Sequence, residues 1–242
     1  MKTHPNLEHI LFLDIETVPE VDSYDALNRK AQDLFAAKTA YAREKEGISA
    51  EAFYPRAGIW AEFGKIVCIS VGFLTFIKGK RQFRLYSFSG DEKKLLLEFR
   101  KLLDTYFSES FHRLCAHNGK EFDFPFLARR MLKHQIALPN LLQLMGKKPW
   151  EIPHIDTLEL WKFGDYKHYT SLRLLAYFFG IPSPKDDIDG SEVAHVYYEE
   201  NDLSRIVRYC EKDVITLTQV YLKLTLQPPL HDSEIVSVSA DD

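Results

Sequence analysis

Cysteine is scarce. There are three in 242 residues, Cys68, Cys115 and Cys210, far apart, odd in number and without a CxxC pair. That pattern supports neither a disulfide framework nor a zinc finger. Long apolar runs are missing too. The longest, residues 66–77, is broken by Ser70, Gly72 and Thr75 and falls short of the ~20 residues a membrane helix needs. No membrane span is expected. The opening MKTHPNLEHI has no basic stretch leading into an apolar core, so no secretory signal is read and a cytoplasmic location is expected. Repeats and linker-like stretches are also lacking, which leaves a second domain without support. Nor is there an excess of positive charge. The 31 Lys and Arg against 35 Asp and Glu give −4, which alone is no reason to expect a polyanionic partner.

What is present suits a globular chain, with 45% hydrophobic and 27% charged residues at a length that fits one larger α/β domain. Its charge is unevenly spread. Residues 112–173 hold ten Lys and Arg against six Asp and Glu, so a basic middle sits on an acidic body, as a nucleic-acid surface confined to one face would require.

Period and punctuation give the order of elements. Residues 10–15 read as a first strand. A helical insertion follows from about 19 to 58, then a β-hairpin, 65–76 and 81–88, around Lys78-Gly79-Lys80. Asp91 caps an amphipathic helix, 113–116 is a strand, and a helix runs over 126–134. Residues 154–160 read as a fifth strand, Ser171 caps a helix through Phe179, and 191–226 is helix-rich. Residues 1–227 are therefore expected to form one domain, and 228–242, with two prolines and an acidic, Ser-containing end, a flexible tail.

Three clusters carry chemistry. Asp14 and Glu16 stand two apart on the first strand, so both side chains point to one face, roughly 7 Å apart along the chain. Like charges crowded there favour a cation between them, although solvated strand-end acids are common. Asp123 lies where a strand ends in a Gly-containing turn and a helix opens, a place equally suited to an N-cap. Tyr209 and Asp213, four apart, share a helix face; an exposed acid beside a core tyrosine would look the same. Four carboxylates and no thiolate describe a site for hard divalent cations, Mg²⁺ or Mn²⁺, if the fold brings them together.

The segments DIET at 14–17, NGKEFDFPFL at 118–127 and YCEKD at 209–213 resemble the three motifs of the DEDD 3′→5′ exonucleases. They look most like those of the proofreading domain of family-B DNA polymerases, and SLRLLAYFFGIPSPKDD at 171–187 resembles the stretch between the second and third motifs. Arg208, five before Asp213, stands where another branch has histidine, so the resemblance is to the tyrosine branch. It implies an α/β, ribonuclease H-like fold with a mixed five-stranded sheet and flanking helices. It also implies hydrolysis at the 3′ end of single-stranded DNA or RNA to nucleoside 5′-monophosphates, with two divalent cations. By the same resemblance Asp14 bridges both cations, Glu16 and Asp213 complete one site, Asp123 holds the other, and Tyr209 orients the attacking water. Thr17, Asn118 and Phe122 fall where family members contact the terminal nucleotide. With the chain ending about thirty residues past Asp213, a stand-alone exonuclease is expected. Two other readings use the same fold: a single-strand-binding module without catalysis, and a phosphodiesterase for short oligonucleotides with the insertion as a lid. Arg129, Arg130 and Lys133 are the expected phosphate contacts on the helix after Asp123, and Phe122, Phe124, Phe126, Trp161 and Tyr169 are aromatics that could stack on bases.

Overall fold

The computed structural model describes residues 6–165, 169–182 and 188–238; the end of the resembling stretch at 171–187 and the last four residues lie outside them. The first strand, β1 (Ile10–Pro19), runs four residues beyond its expected end. After the helices of the insertion, α1 (Arg29–Glu46) and α2 (Ala50–Phe53), come the hairpin β2 (Gly64–Ile77) and β3 (Lys80–Ser89) and then α3 (Glu92–Tyr106). The strand β4 (Arg113–Ala116), the helix α4 (Asp123–Lys133), β5 (Ile155–Asp156), α5 (Thr157–Lys162), α6 (Leu172–Phe178), a short turn of helix α7 (Val193–His195), α8 (Leu203–Leu224) and β6 (Ile235–Ser237) complete the order.

Six strands form one mixed sheet in the order β5-β4-β1-β2-β3-β6, with β2 antiparallel to both neighbours and β4, β5 and β6 parallel to theirs. The α/β architecture is the one expected, with one strand more than the five anticipated. The addition comes from the stretch read as a loose tail. Arg81 on β3 draws it in, donating to the carbonyls of Pro228 and Pro229 and pairing with Glu234 at 2.8 Å, so Phe83–Leu85 gain a parallel neighbour. The fifth strand is shorter than read. Asp156 ends it by accepting hydrogen bonds from the amides of Leu158 and Glu159, which starts α5 where strand was expected.

Alternation along β1 divides the core. Leu11, Leu13 and Ile15 face α3 and α4, packing with Leu95, Phe99 and Leu127. Ile10 and Phe12 face α8, with Phe83, Val214, Leu217 and Tyr221. Further along the same face, Val18 joins Cys68, Val193, Ile206 and Cys210. The insertion has its own aromatic nucleus, Phe35, Phe53, Tyr54 and Phe63, with Trp60 and Tyr24 against it. Among the described residues no helix is long and apolar enough to cross a membrane.

Arg130 departs from the reading of α4 as a phosphate-binding helix. It is 1% exposed and donates to both oxygens of Glu92 (2.7 and 2.6 Å), to the Ala61 carbonyl and to Glu20. Glu92 also accepts from the Ile66 amide and meets His134 Nε2 at 2.6 Å. Lys133 pairs with Glu20 at 2.7 Å, and Arg129 is exposed. A long cation on an amphipathic helix reads as solvated; here the buried acid opposite it, 38 positions away, decides its place.

Because Arg130→Met leaves Glu92 buried without its main partner, it is expected to destabilise the fold by ~3–5 kcal/mol, read by urea unfolding, and adding Glu92→Gln should recover part of the loss. The Arg81 hydrogen bonds hold the Glu234 carboxyl down at about 2. With the folded value below the unfolded one, this clasp contributes stability above about pH 4.3 and loses it as pH falls towards 2. Glu234→Gln should flatten acid unfolding in that window.

Candidate active site

Asp14 and Glu16 continue the face of Ile10 and Phe12, so they point at α8 and lie in the gap between its two apolar clusters. The strand runs on past them and is covered, which leaves Glu16 7% exposed and Asp14 partly exposed. The solvated strand-end pair is thereby replaced by two carboxylates at the edge of a core. Helix α8 starts at Asp202, whose side chain caps the Arg205 amide, and buries Ile206, Cys210 and Val214 at four-residue steps. That stripe sets the helix rotation and brings Tyr209 and Asp213 to its flank, where the Tyr209 hydroxyl bonds Asp213.

Asp123 arrives from a tightly specified turn. Asp156 accepts from the Asn118 amide at 2.9 Å with one oxygen and from the Lys120 amide at 3.1 Å with the other. Asn118 takes a left-handed φ of 63°. A Cβ at Gly119 would stand 2.4 Å from that of Ala116, so only glycine lets the turn close on β4. Asp123 then opens α4 as its first residue. The N-cap is Phe122, which makes no side-chain cap bond, so the capping reading of Asp123 does not hold. Its carboxylate is 3% exposed, and Oδ1 has no hydrogen-bond partner among the described residues.

Burial and the charges of neighbouring carboxylates act on Asp14, Glu16 and Asp123. Loss of solvent, followed by the charges of Asp213 and Asp123, pushes Asp14 well above the usual carboxylate range. Glu16 is raised likewise by burial and then by Asp14 and Asp213. Asp123 is lifted by burial to about 7, with Asp156 adding to the rise and the backbone amides of Asp123 and Ile15 opposing it. The Tyr209 phenol is raised far above its ordinary value by burial and by the Asp213 and Glu16 charges. It therefore stays protonated at neutral pH and can donate or accept a hydrogen bond without acting as a base.

Asp14, Tyr209 and Asp213 form one wall of a cavity of about 380 Å³. His117, Tyr169, Leu172, Arg173, Ile188, Asp189 and Glu192 are among the residues opposite and around them. Glu16 and Asp123 are not among the described lining residues but lie within electrostatic reach of Asp14. Thr17, Asn118 and Phe122 are half-buried and are not on the cavity wall among the described residues; Phe122 packs on Phe126 with ring centroids 5.4 Å apart. Phe124 and Phe126 are core, whereas Tyr169 is 61% exposed. The insertion supplies none of the described lining residues.

Sequence reading missed Asp156 and His117. Asp156 lies inside the run read as strand, and only its tertiary partners distinguish it. His117 opens the segment that carries Asp123, and its Nδ1 meets Thr157 Oγ1 at 2.9 Å and its Nε2 the Thr170 carbonyl at 2.8 Å. Burial holds its pKa below the ordinary value, so it enters the cavity as a neutral ring.

The arrangement fits a divalent cation on its donor chemistry: oxygen donors gathered with too few counter-charges, one of them buried and unpartnered. The ligating atoms of Asp14, Glu16 and Cys210 lie within 4.8 Å of one another.

Residues 59–235 match a protein family described as a predicted 3′-5′ exonuclease related to the exonuclease domain of PolB. The chain belongs to this family. The matched span holds Asp123, Tyr209 and Asp213, whereas Asp14 and Glu16 precede it. Among solved structures, the chain is similar to the family B DNA polymerase from the hyperthermophilic archaeon Pyrobaculum calidifontis, with a TM-score of 0.54 and 14% identity. That likeness covers 90% of this chain and 24% of the polymerase, so the two share a fold over about a quarter of the polymerase's length. No curated protein matches the sequence.

A cation that neutralises these acids should stabilise the protein. Adding Mn²⁺ is expected to raise the Tm of wild type and to have little effect on Asp14→Ala, in thermal unfolding followed by circular dichroism. Without cation, the raised Asp123 contributes stability that is present below its ordinary 3.8 and lost as pH climbs to about 7,. Asp123→Asn should therefore lessen the loss of stability between pH 4 and 7 in EDTA.

Proposed function

We propose that this PolB-related exonuclease is a metal-dependent phosphodiester hydrolase that removes nucleoside 5′-monophosphates from the 3′ end of single-stranded DNA, with RNA as a second substrate. The observation that supports it most is the gathering of Asp14, Glu16, Asp123 and Asp213, from three distant segments, within electrostatic reach of one another, with Asp14 and Asp213 on the wall of one cavity. The unpartnered, buried Asp123 Oδ1 marks that gathering as a place for a cation.

Two divalent cations, Mg²⁺ or Mn²⁺, held among these four carboxylates would supply charge neutralisation at the scissile phosphate and make water a nucleophile at neutral pH. The chain's own groups do the rest. Asp14, on the cavity wall and close to the other three acids, would be the ligand common to both cations. Glu16 and Asp213 flank it on the α8 side, and Asp123 closes the group from the start of α4. The Tyr209 hydroxyl, bonded to Asp213, would hold the attacking water by a hydrogen bond while keeping its own proton.

A volume of about 380 Å³ lies at the small end of ligand pockets, which suits one terminal nucleotide rather than a duplex. Tyr169, with Leu172 and Ile188, offers an aromatic and aliphatic surface to its base, and stacking of this kind contributes ~1–3 kcal/mol per base. Arg173 on the same rim is a cation for a phosphate. Thr17, Asn118 and Phe122, half-buried, would meet the nucleotide only if the cavity widened around it.

Digestion of 5′-labelled single-stranded DNA, and of the same sequence as RNA, tests the proposal. A ladder shortening from the 3′ end with Mg²⁺ or Mn²⁺, abolished by EDTA and by Asp14→Ala, is expected; activity of Asp14→Ala within tenfold of wild type would remove the shared-ligand assignment. Tyr209→Phe should slow turnover by ~10²-fold or more while leaving Mn²⁺ stabilisation intact. If neither polymer is cut but single strands still bind, the chain is a binding module on this fold.

A further inference from the structure

Cys210 sits on α8 between Tyr209 and Glu211, wholly buried, with its Sγ 3.4 Å from both the carbonyl oxygen and Oδ2 of Asp14. In the mechanism above it has no task. A small apolar residue would fill the stripe of Ile206 and Val214 as well, so the thiol is not required by packing alone.

The distances give it a use. In a tetrahedral zinc site, sulfur at ~2.3 Å and carboxylate oxygen at ~2.1 Å from the ion stand about 3.6 Å apart. The 3.4 Å between Cys210 Sγ and Asp14 Oδ2 is close to that edge, and Glu16 contributes a third donor within 4.8 Å of both. Asp123, with its buried and unpartnered Oδ1, sets further negative charge against the same pair. Mg²⁺ leaves such a sulfur unused, since it takes oxygen ligands and holds its waters; Zn²⁺ and Cd²⁺ accept thiolate.

We propose that Asp14, Glu16 and Cys210 form a sulfur-containing site for a thiophilic divalent cation of the zinc class, overlapping the oxygen site of the nuclease. Binding forms a metal–sulfur bond and sends the thiol proton to solvent, along with any proton carried by the two carboxyls. The ion then occupies Asp14 and excludes the Mg²⁺ or Mn²⁺ that turnover uses, so zinc-class cations act as inhibitors. Only this last consequence rests on the nuclease reading; the site itself is defined by its sulfur.

Cadmium provides the probe, because a Cd–thiolate bond gives an ultraviolet charge-transfer band that oxygen and nitrogen ligands do not. Titration of the full chain with Cd²⁺ should produce this band with one equivalent, keep it in Cys115→Ser and lose it in both Cys210→Ser and Cys210→Ala, with folding of each variant checked by circular dichroism. A second measurement needs no variant: X-ray absorption at the zinc edge of the wild-type protein should show one sulfur at ~2.3 Å among oxygen neighbours. A first shell of oxygen and nitrogen alone overturns the proposal, as does a cadmium band that survives in both Cys210 variants or vanishes in Cys68→Ser alone. A sulfur signature in a protein that cuts neither DNA nor RNA would leave the site standing and remove the nuclease reading.

Discussion

Every second side chain of β1 must face α8, and that single rule of strand geometry places Ile10, Phe12, Asp14, Glu16 and Val18 in one row,. The row is apolar at both ends and acidic in the middle. The helix packed on it answers with Val214 and Leu217 against one end, Ile206 and Cys210 against the other, and Asp213 alongside the acids. The hydrophobic contacts thereby hold in place carboxylates that repel one another. The acidic centre is a cost to the apo fold which the two flanking clusters offset, and a cation removes it.

Two buried acids outside that centre act as pegs for backbone. Asp156 ties the Asn118–Lys120 turn to the start of α5 through four amides, and so fixes the direction from which Asp123 enters. Glu92 ties the start of β2 to α4 through the Ile66 amide and Arg130. Both carboxylates are satisfied, whereas Asp123 Oδ1 has no hydrogen-bond partner among the described residues. Within one protein, that contrast separates two acids used for architecture from one that keeps an oxygen in reserve.

Most of the architecture was legible in the sequence because it rests on local signals: the Lys78-Gly79 turn, the Asp91 and Ser171 caps, and the period of α3 and α8 all lie where the pattern put them. The errors share a different cause. Arg130 read as a surface cation because its partner Glu92 is 38 residues earlier. Residues 157–160 read as strand because the Asp156 cap competes with apolar alternation. The stretch after Gln227 read as loose because its anchor, Arg81, lies on a distant strand. For the site, Tyr209 and Asp213 follow from a four-residue helical step, and the facing of Asp14 with Glu16 from a two-residue strand step. Nothing local places Asp156 or His117 beside them, and nothing local turns the Cys210 thiol towards Asp14.

Strand lengths across the sheet taper to both sides. The long antiparallel ladder of β1, β2 and β3 is bounded by β5, two residues, and β6, three residues. Edges so short expose few unpaired amides and carbonyls, and β6 is preceded by the Arg81-clasped Pro228 and Pro229. A sheet finished in this way offers a poor template for strand addition by a second chain. The segment read as a flexible tail in sequence thus covers part of the outer edge of β3.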